Sequence, residues 1–277
     1  MYKINIKELL FFWFFLVFSM LAVKDAVSQD WSPLQSNKFL QELISPWIAP
    51  PNGSSGAPRQ GWLNTVDGFF TREVHLGYDW TETDGSNFQR GFARLNYPWT
   101  QRFWTGLEVP FVVSDGDNTS FGDITLTTQV MIYETRNISF NIGSGFTFPT
   151  SDDEIGGDLY VFTPQANLWT DIGAGFSFRA GFSGIFDNED GYDAFRVNTA
   201  IGQTITSAEN TPFGEFTYYL SGNLVEPDEG DTFLSLTPGV RSRLYGNLFL
   251  LLGIEIPVIN RSSTFDQRLI GQFVFGF

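Results

Sequence analysis

The sequence predicts an all-β fold, a transmembrane antiparallel up-and-down β-barrel of about 12 strands behind a cleaved signal peptide. Three observations predict it. Segments of about ten residues with alternating apolar character recur from Gly68 to Phe277, the length at which a tilted strand crosses a membrane. Residues of the opposite parity are polar or charged, which suits a wet lumen. They do not suit the dry core of a soluble sheet, where unpaired charges are too costly. The connections alternate between acidic and nearly charge-balanced, matching the two kinds of turn on the two sides of an even-stranded barrel.

The chain begins with a basic stretch holding Lys3 and Lys7, followed by an apolar run from Leu9 to Val23. That run is shorter than the roughly 20 residues of a spanning helix. Ala26-Val27-Ser28 supplies the small residues of a cleavage site, so residues 1–28 read as a signal peptide and the mature chain starts near Gln29. The chain has no Cys, so neither a lipid-anchored Cys nor a disulfide is available. A formal net charge of -15 argues against nucleic acid as a partner, because phosphate binding needs clustered Lys and Arg.

Residues 29–67 read as a periplasmic N-terminal extension. Asn37 to Trp47 predicts a short amphipathic helix with Phe39, Leu40, Leu43, Ile44 and Trp47 on one side, limited by Pro46. Pro50 to Arg59 is rich in Pro, Gly and Ser and reads as a linker without packing potential. The extension has two readings, a periplasmic segment that caps or enters the lumen and a plain tether, and the tether is the expectation.

Residues 68–277 make the barrel. Its outward positions open with Val74, Leu76, Tyr78 and Trp80 and close with Phe273, Phe275 and Phe277. The terminal Phe277 is expected to present the chain to the barrel-insertion machinery. With both termini periplasmic, the first, third and later odd connections lie outside the cell. They hold 17 of the 31 acidic residues, from Glu82 to Asp266, against the single base Arg261. Aromatic residues gather near strand ends, as in membrane girdles. Tyr97, Trp99, Trp104, Trp169, Phe213 and Tyr245 fall at the inner rim, and Tyr78, Trp80, Phe88, Phe111, Phe148, Tyr160 and Phe186 at the outer one.

The inward parity supplies the candidate pore-lining residues Arg90, Arg94, Glu108, Asp123, Arg179, Arg196, Glu215, Arg241, Arg243, Glu255 and Arg268, with Glu73 and Asp79 beside them. Two readings follow. Arginines facing carboxylates set a transverse field in a narrow channel for small organic solutes, aromatic or anionic among them. The same groups, paired, stiffen a plugged structural or surface-interaction barrel whose acidic outer loops bind cations and which transports nothing. About eight strands leave a filled interior and about 16 an open one, so a barrel of intermediate size suits a narrow passage. The only histidine, His75, has no serine placed beside it by the sequence, and there is no metal-ligand spacing or phosphate-binding glycine loop. The expectation is therefore no enzyme and no cofactor. The expected partners are outer-membrane lipid and lipopolysaccharide, the insertion machinery and small solutes, in the bacterial outer membrane.

One stretch carries a family likeness. Gly106-Leu107-Glu108-Val109-Pro110, then Gly122-Asp123-Ile124, then the Gly-rich run from Gly143 to Thr150 resembles the outer-membrane family named for the meta-pathway of phenol degradation. The likeness covers Asn96 to Asp153 and extends loosely over Asp67 to Phe277; Ser151 stands where the family usually has Gly. The resemblance implies a barrel that helps take up small, often aromatic, organic compounds, and it supplies no site residues.

Overall fold

The computed structural model describes residues 31–65, 70–83, 86–115, 118–151, 159–188, 193–260 and 265–277. The expected signal peptide and the acidic tips at 84–85, 116–117, 152–158 and 189–192 lie outside the described residues. A 3-10 turn, Ser36–Lys38, leads into a one-turn helix α1, Phe39–Glu42. The strands are β1 (Glu73–Thr83), β2 (Ser86–Pro98), β3 (Phe103–Asp115), β4 (Asn118–Ser120), β5 (Ile124–Glu134), β6 (Ile138–Phe148) and β7 (Val161–Gly173). They continue with β8 (Phe176–Asp187), β9 (Ala194–Thr204), β10 (Gly214–Pro227), β11 (Phe233–Tyr245), β12 (Leu248–Ile259) and β13 (Gln267–Gly276).

Each long strand pairs antiparallel with the next, and β1 pairs with β13 from Glu73 opposite Gly276 to Glu82 opposite Gln267. That ladder closes the sheet into a ring, so none of the long strands is an edge strand. Twelve strands make the wall. The short β4 is not part of the ring: it folds back on the end of β3, Val113 opposite Ser120. It occupies part of what the sequence presents as a plain loop after Val113. At the end where β1 begins and β13 stops, four of the five connections are short and only the one after β9 is long; at the opposite end only the β1–β2 connection is short and the other five are longer.

Side-chain parity explains why this sheet sits in lipid. Along β1, Leu76 and Tyr78 are about half exposed while His75 and Asp79 are only 4% and 5% exposed. The same inversion holds around the ring. Ile142, Phe182, Leu220, Ile254 and Phe273 face outward, whereas Asn141, Arg179, Ser221, Glu255 and Thr217 are buried inside. An apolar exterior of this extent is not stable against water; it fits the hydrocarbon band around a transmembrane barrel. No helix among the described residues is long and apolar enough to cross a membrane, so any crossing is made by strands.

The girdle expectation needs correction at two positions. Trp99, Phe213 and Tyr245 are exposed at the short-turn rim, but Trp104 and Trp169 are only 2% and 1% exposed and point into the lumen. Both sit at inward parity, and parity outranks nearness to a strand end. Trp104 packs with Phe70 and Met131.

Candidate functional site: a lumen chamber and its floor

On its short-turn side the inside of the barrel is occupied by residues 50–65 of the same chain, and residues 31–49 attach them to the rim. Their attachment begins at the β2–β3 turn. Arg102 Nε donates to Glu42 at 2.9 Å, Arg102 Nη1 donates to the Met131 carbonyl at 2.7 Å, and the Phe39 ring lies 4.4 Å from the guanidinium. Gln101 N donates to the Ser45 carbonyl at 3.1 Å, and Pro46 forms an isolated bridge with Thr100. The amphipathic face expected for this stretch is divided: Phe39 faces Arg102, while Leu40 and Ile44 are exposed.

Pro50 to Arg59, expected to be an unpacked linker, is instead held by dense polar contacts. Gly53 N donates to the Ala57 carbonyl at 2.9 Å, closing a turn. Ser55 donates from its backbone N at 2.8 Å and from its hydroxyl at 2.5 Å to the two oxygens of Asp171. Ser54 N donates to Asn137 Oδ1 at 2.8 Å. Gly53 lies so close to the Asp171 side chain that a Cβ would overlap it, and Gly56 adopts φ +89°, so both glycines are required by the shape of the turn. Arg59 completes the clasp, donating to Glu134 at 2.7 Å and to the Pro51 carbonyl at 2.9 Å, with its guanidinium 4.8 Å from the Trp169 ring. Burial pushes the Arg59 pKa down and the Glu134 carboxylate works against that shift. Composition misled here because backbone N–H groups and hydroxyls, not apolar side chains, make the attachment.

The next residues reach deeper. Trp62 stacks on Tyr219, ring centroids 4.9 Å apart and planes within 5°, and Arg179 lies 4.0 Å from the Trp62 ring. Arg179 donates to the Pro58 carbonyl at 3.1 Å, and Arg241 donates to Gln60 Oε1 at 2.8 Å. Leu63 N donates to Tyr219 Oη at 3.2 Å while Ser221 Oγ donates to the Leu63 carbonyl at 2.9 Å. Trp62 and Leu63 enter an apolar patch of Ala200, Phe249, Leu251, Ile270 and Val274. That patch was legible in outline: Phe249, Leu251, Ile270 and Val274 are apolar residues at inward parity on the last two strands, an irregularity in an otherwise polar lumen.

Beyond this floor lies a chamber of about 420 Å³. Its charged lining is Arg90, Arg94, Arg196, Arg268, Asp79 and Glu108, and Trp62, Asn64 and Thr65 of the N-terminal segment close it from below. Arg196 on β9 lies six strands from β2 either way round the ring, so it faces Arg90 and Arg94 across the lumen. Glu108 is shared: Arg90 bonds its Oε1, and Arg94 bonds its Oε2, from Nε at 2.8 Å. Arg90 also lies 3.7 Å from Asp79. His75 belongs to a polar network, its Nε2 3.1 Å from Glu73 and 3.2 Å from Asn96 Nδ2, its Nδ1 3.4 Å from Gln272. Among the described residues its hydrogen-bond partners are carboxylate and amide groups, not hydroxyls. Among the described residues no group of three or more His, Asp or Glu is placed to hold a metal ion.

The expected lining residues therefore separate into three groups. Arg90, Arg94, Glu108, Arg196 and Arg268 line the chamber, and Glu255 sits behind Arg268, accepting from Arg268 Nε at 2.8 Å and from Ser235 Oγ at 2.5 Å. Arg179, Glu215, Arg241 and Arg243 lie below: Glu215 accepts from Arg243 at 3.2 Å and from Asn52 of the segment at 3.0 Å. Asp123 is not in the chamber. It sits at the long-loop end, where its Oδ1 accepts from the backbone N of Thr150 and of Ser151, both at 2.9 Å. It caps the chain where it leaves β6, and because it precedes β5 its parity carries no weight there.

Residues 51–256 match the family described as "Putative MetA-pathway of phenol degradation". The chain belongs to this family. The match starts at Pro51, so it includes the segment clasped by Asp171 and Glu134. No curated protein matches the chain in sequence. Among solved structures, an outer membrane channel from Pseudomonas putida F1 is similar, with TM-score 0.57 and 14% identity over 79% of this chain and 99% of that one. The KdgM porin in complex with disordered oligogalacturonate has TM-score 0.53 and 8% identity over 74% and 99%. The NanC porin has TM-score 0.51 and 9% identity over 74% and 98%. These likenesses show the fold, a closed twelve-stranded barrel of the outer-membrane type.

Proposed function

We propose that this barrel passes small organic solutes across the outer membrane by diffusion, that its lumen prefers anions, and that residues 31–65 form its internal constriction. The observation that carries the reading is the chamber itself, polar and walled by arginine, with a floor built from the chain's own N-terminal segment. Of the charged groups that line the chamber, four are guanidiniums (Arg90, Arg94, Arg196, Arg268) and two are carboxylates (Asp79, Glu108). A charged lining inside low-dielectric walls concentrates ions of the opposite sign.

The chamber also presents ring surfaces from Trp62, Phe92 and Trp104, so an aromatic carboxylate or phenolate matches both its charge and its surface. Two facts support the solute class: the family's description refers to phenol degradation, and a porin of the same fold was solved with a polycarboxylate sugar. The end where β1 begins and β13 stops faces the periplasm in this reading, since four of its five turns are short, as periplasmic turns are in outer-membrane barrels. Reversal potential across a potassium chloride gradient in planar bilayers tests it. Anion selectivity, with current interruptions when potassium benzoate is added, supports the proposal; cation selectivity or a silent bilayer overturns it.

A further inference from the structure

We propose that the turn around α1 is a lipid anchor, with Leu40 and Ile44 inserted into the membrane interface beside the barrel wall. These two side chains lie one helical turn apart and are 77% and 80% exposed. The opposite side of the same turn is fully engaged, Phe39 and Glu42 both on Arg102. The turn is therefore fixed in orientation, and an apolar pair held rigidly in water has a solvation cost that lipid would remove.

The placement identifies the occupant. The segment is fastened to the β2–β3 turn, through Gln101 to Ser45 and Thr100 to Pro46. That turn carries Trp99, exposed on the outward face. A continuous stack then joins the segment to the lipid-facing rim. Arg72 lies 4.5 Å from the Trp47 ring and 4.7 Å from the Tyr97 ring, and Tyr97 meets Trp99 edge-on at 4.7 Å. Trp and Tyr at this level mark the headgroup boundary of a membrane. Ile44 directly precedes Ser45, which Gln101 holds two residues from the exposed Trp99, and Lys38 in the adjoining turn suits an anionic headgroup layer. The internal segment is pinned at one end by the lumen and at the other by the bilayer. This inference does not depend on what the channel carries.

The chain has no cysteine, so single-label probes report cleanly. Leu40→Cys, Ile44→Cys and, as the polar control, Ser36→Cys are labelled with an environment-sensitive fluorophore in proteoliposomes, after each variant is shown to be a heat-modifiable barrel. Expected at positions 40 and 44 are a blue shift and loss of most emission when lipids brominated near the headgroup are included, with neither at position 36. Water-like emission at 40 and 44 overturns the proposal. So does a blue shift that brominated lipid leaves unquenched, because protein would then be the cover.

Discussion

Arg59 and Glu134 meet at 2.7 Å inside the barrel, with side chains only 3% and 6% exposed, and this ion pair ties the N-terminal segment to the end of β5. Deleting one member of a buried pair costs about 3–5 kcal/mol, because the other charge is left without a partner. Glu134→Gln or Arg59→Met should therefore release the segment without opening the wall. The check is limited proteolysis: new cleavage within residues 50–65 in either single variant, while the barrel keeps its heat-modifiable migration. Arg59→Met combined with Glu134→Met should be cut more slowly than either alone. If both single variants resist protease like the parent, the pair does not clasp the segment.

Gly53 and Gly222 should respond differently to the same substitution. A Cβ at Gly53 would overlap the Asp171 side chain, whereas at Gly222 the nearest atoms are 3.5 Å and 3.6 Å away, an ordinary contact. Gly53→Ala is expected to loosen the turn that Ser55 and Asp171 hold, increasing proteolysis of the segment several-fold. Gly222→Ala should leave both proteolysis and thermal stability of the barrel within error of the parent. Equal effects of the two would remove the close approach as an explanation.

Two arginines in the chamber predict opposite balances of stability and selectivity. Arg268 covers Glu255, which is completely buried and also accepts from Ser235. Arg268→Gln should destabilise the barrel by about 3–5 kcal/mol, the cost of an unpaired buried charge. Arg94→Gln leaves Glu108 still bound by Arg90, so its stability should change by about 1 kcal/mol or less, in the range of partly exposed pairs. Its reversal potential should nevertheless move toward cations. Equilibrium unfolding from detergent micelles and bilayer recordings separate the two effects.

The wall was largely legible in the sequence and the floor was not. Alternation places Leu76 outward and His75 inward from a period of two alone, and β13 with its Phe273 and Arg268 faces follows the same rule. The segment escaped because its attachment is encoded in groups that hydropathy does not register: the Ser55 hydroxyl, the Ser54 amide and the missing Cβ of Gly53. Phe249, Leu251, Ile270 and Val274 were the visible trace, apolar residues on the inward face that need an apolar partner, supplied by Trp62 and Leu63. Parity presents the lining residues as one set, but depth along the axis divides it. Arg241 and Glu215 serve the segment and Arg90 and Arg94 serve the chamber, a distinction that one-dimensional parity does not contain.

The central claim is that this is a channel constricted by its own N-terminal segment. Single-channel conductance of the folded protein in planar bilayers, compared with a variant lacking residues 31–65, tests it most directly. Expected are a small, anion-preferring conductance for the intact chain and a several-fold larger one for the deletion, provided both are heat-modifiable barrels. A deletion barrel that conducts no better than the intact protein, or no current from either, would contradict it.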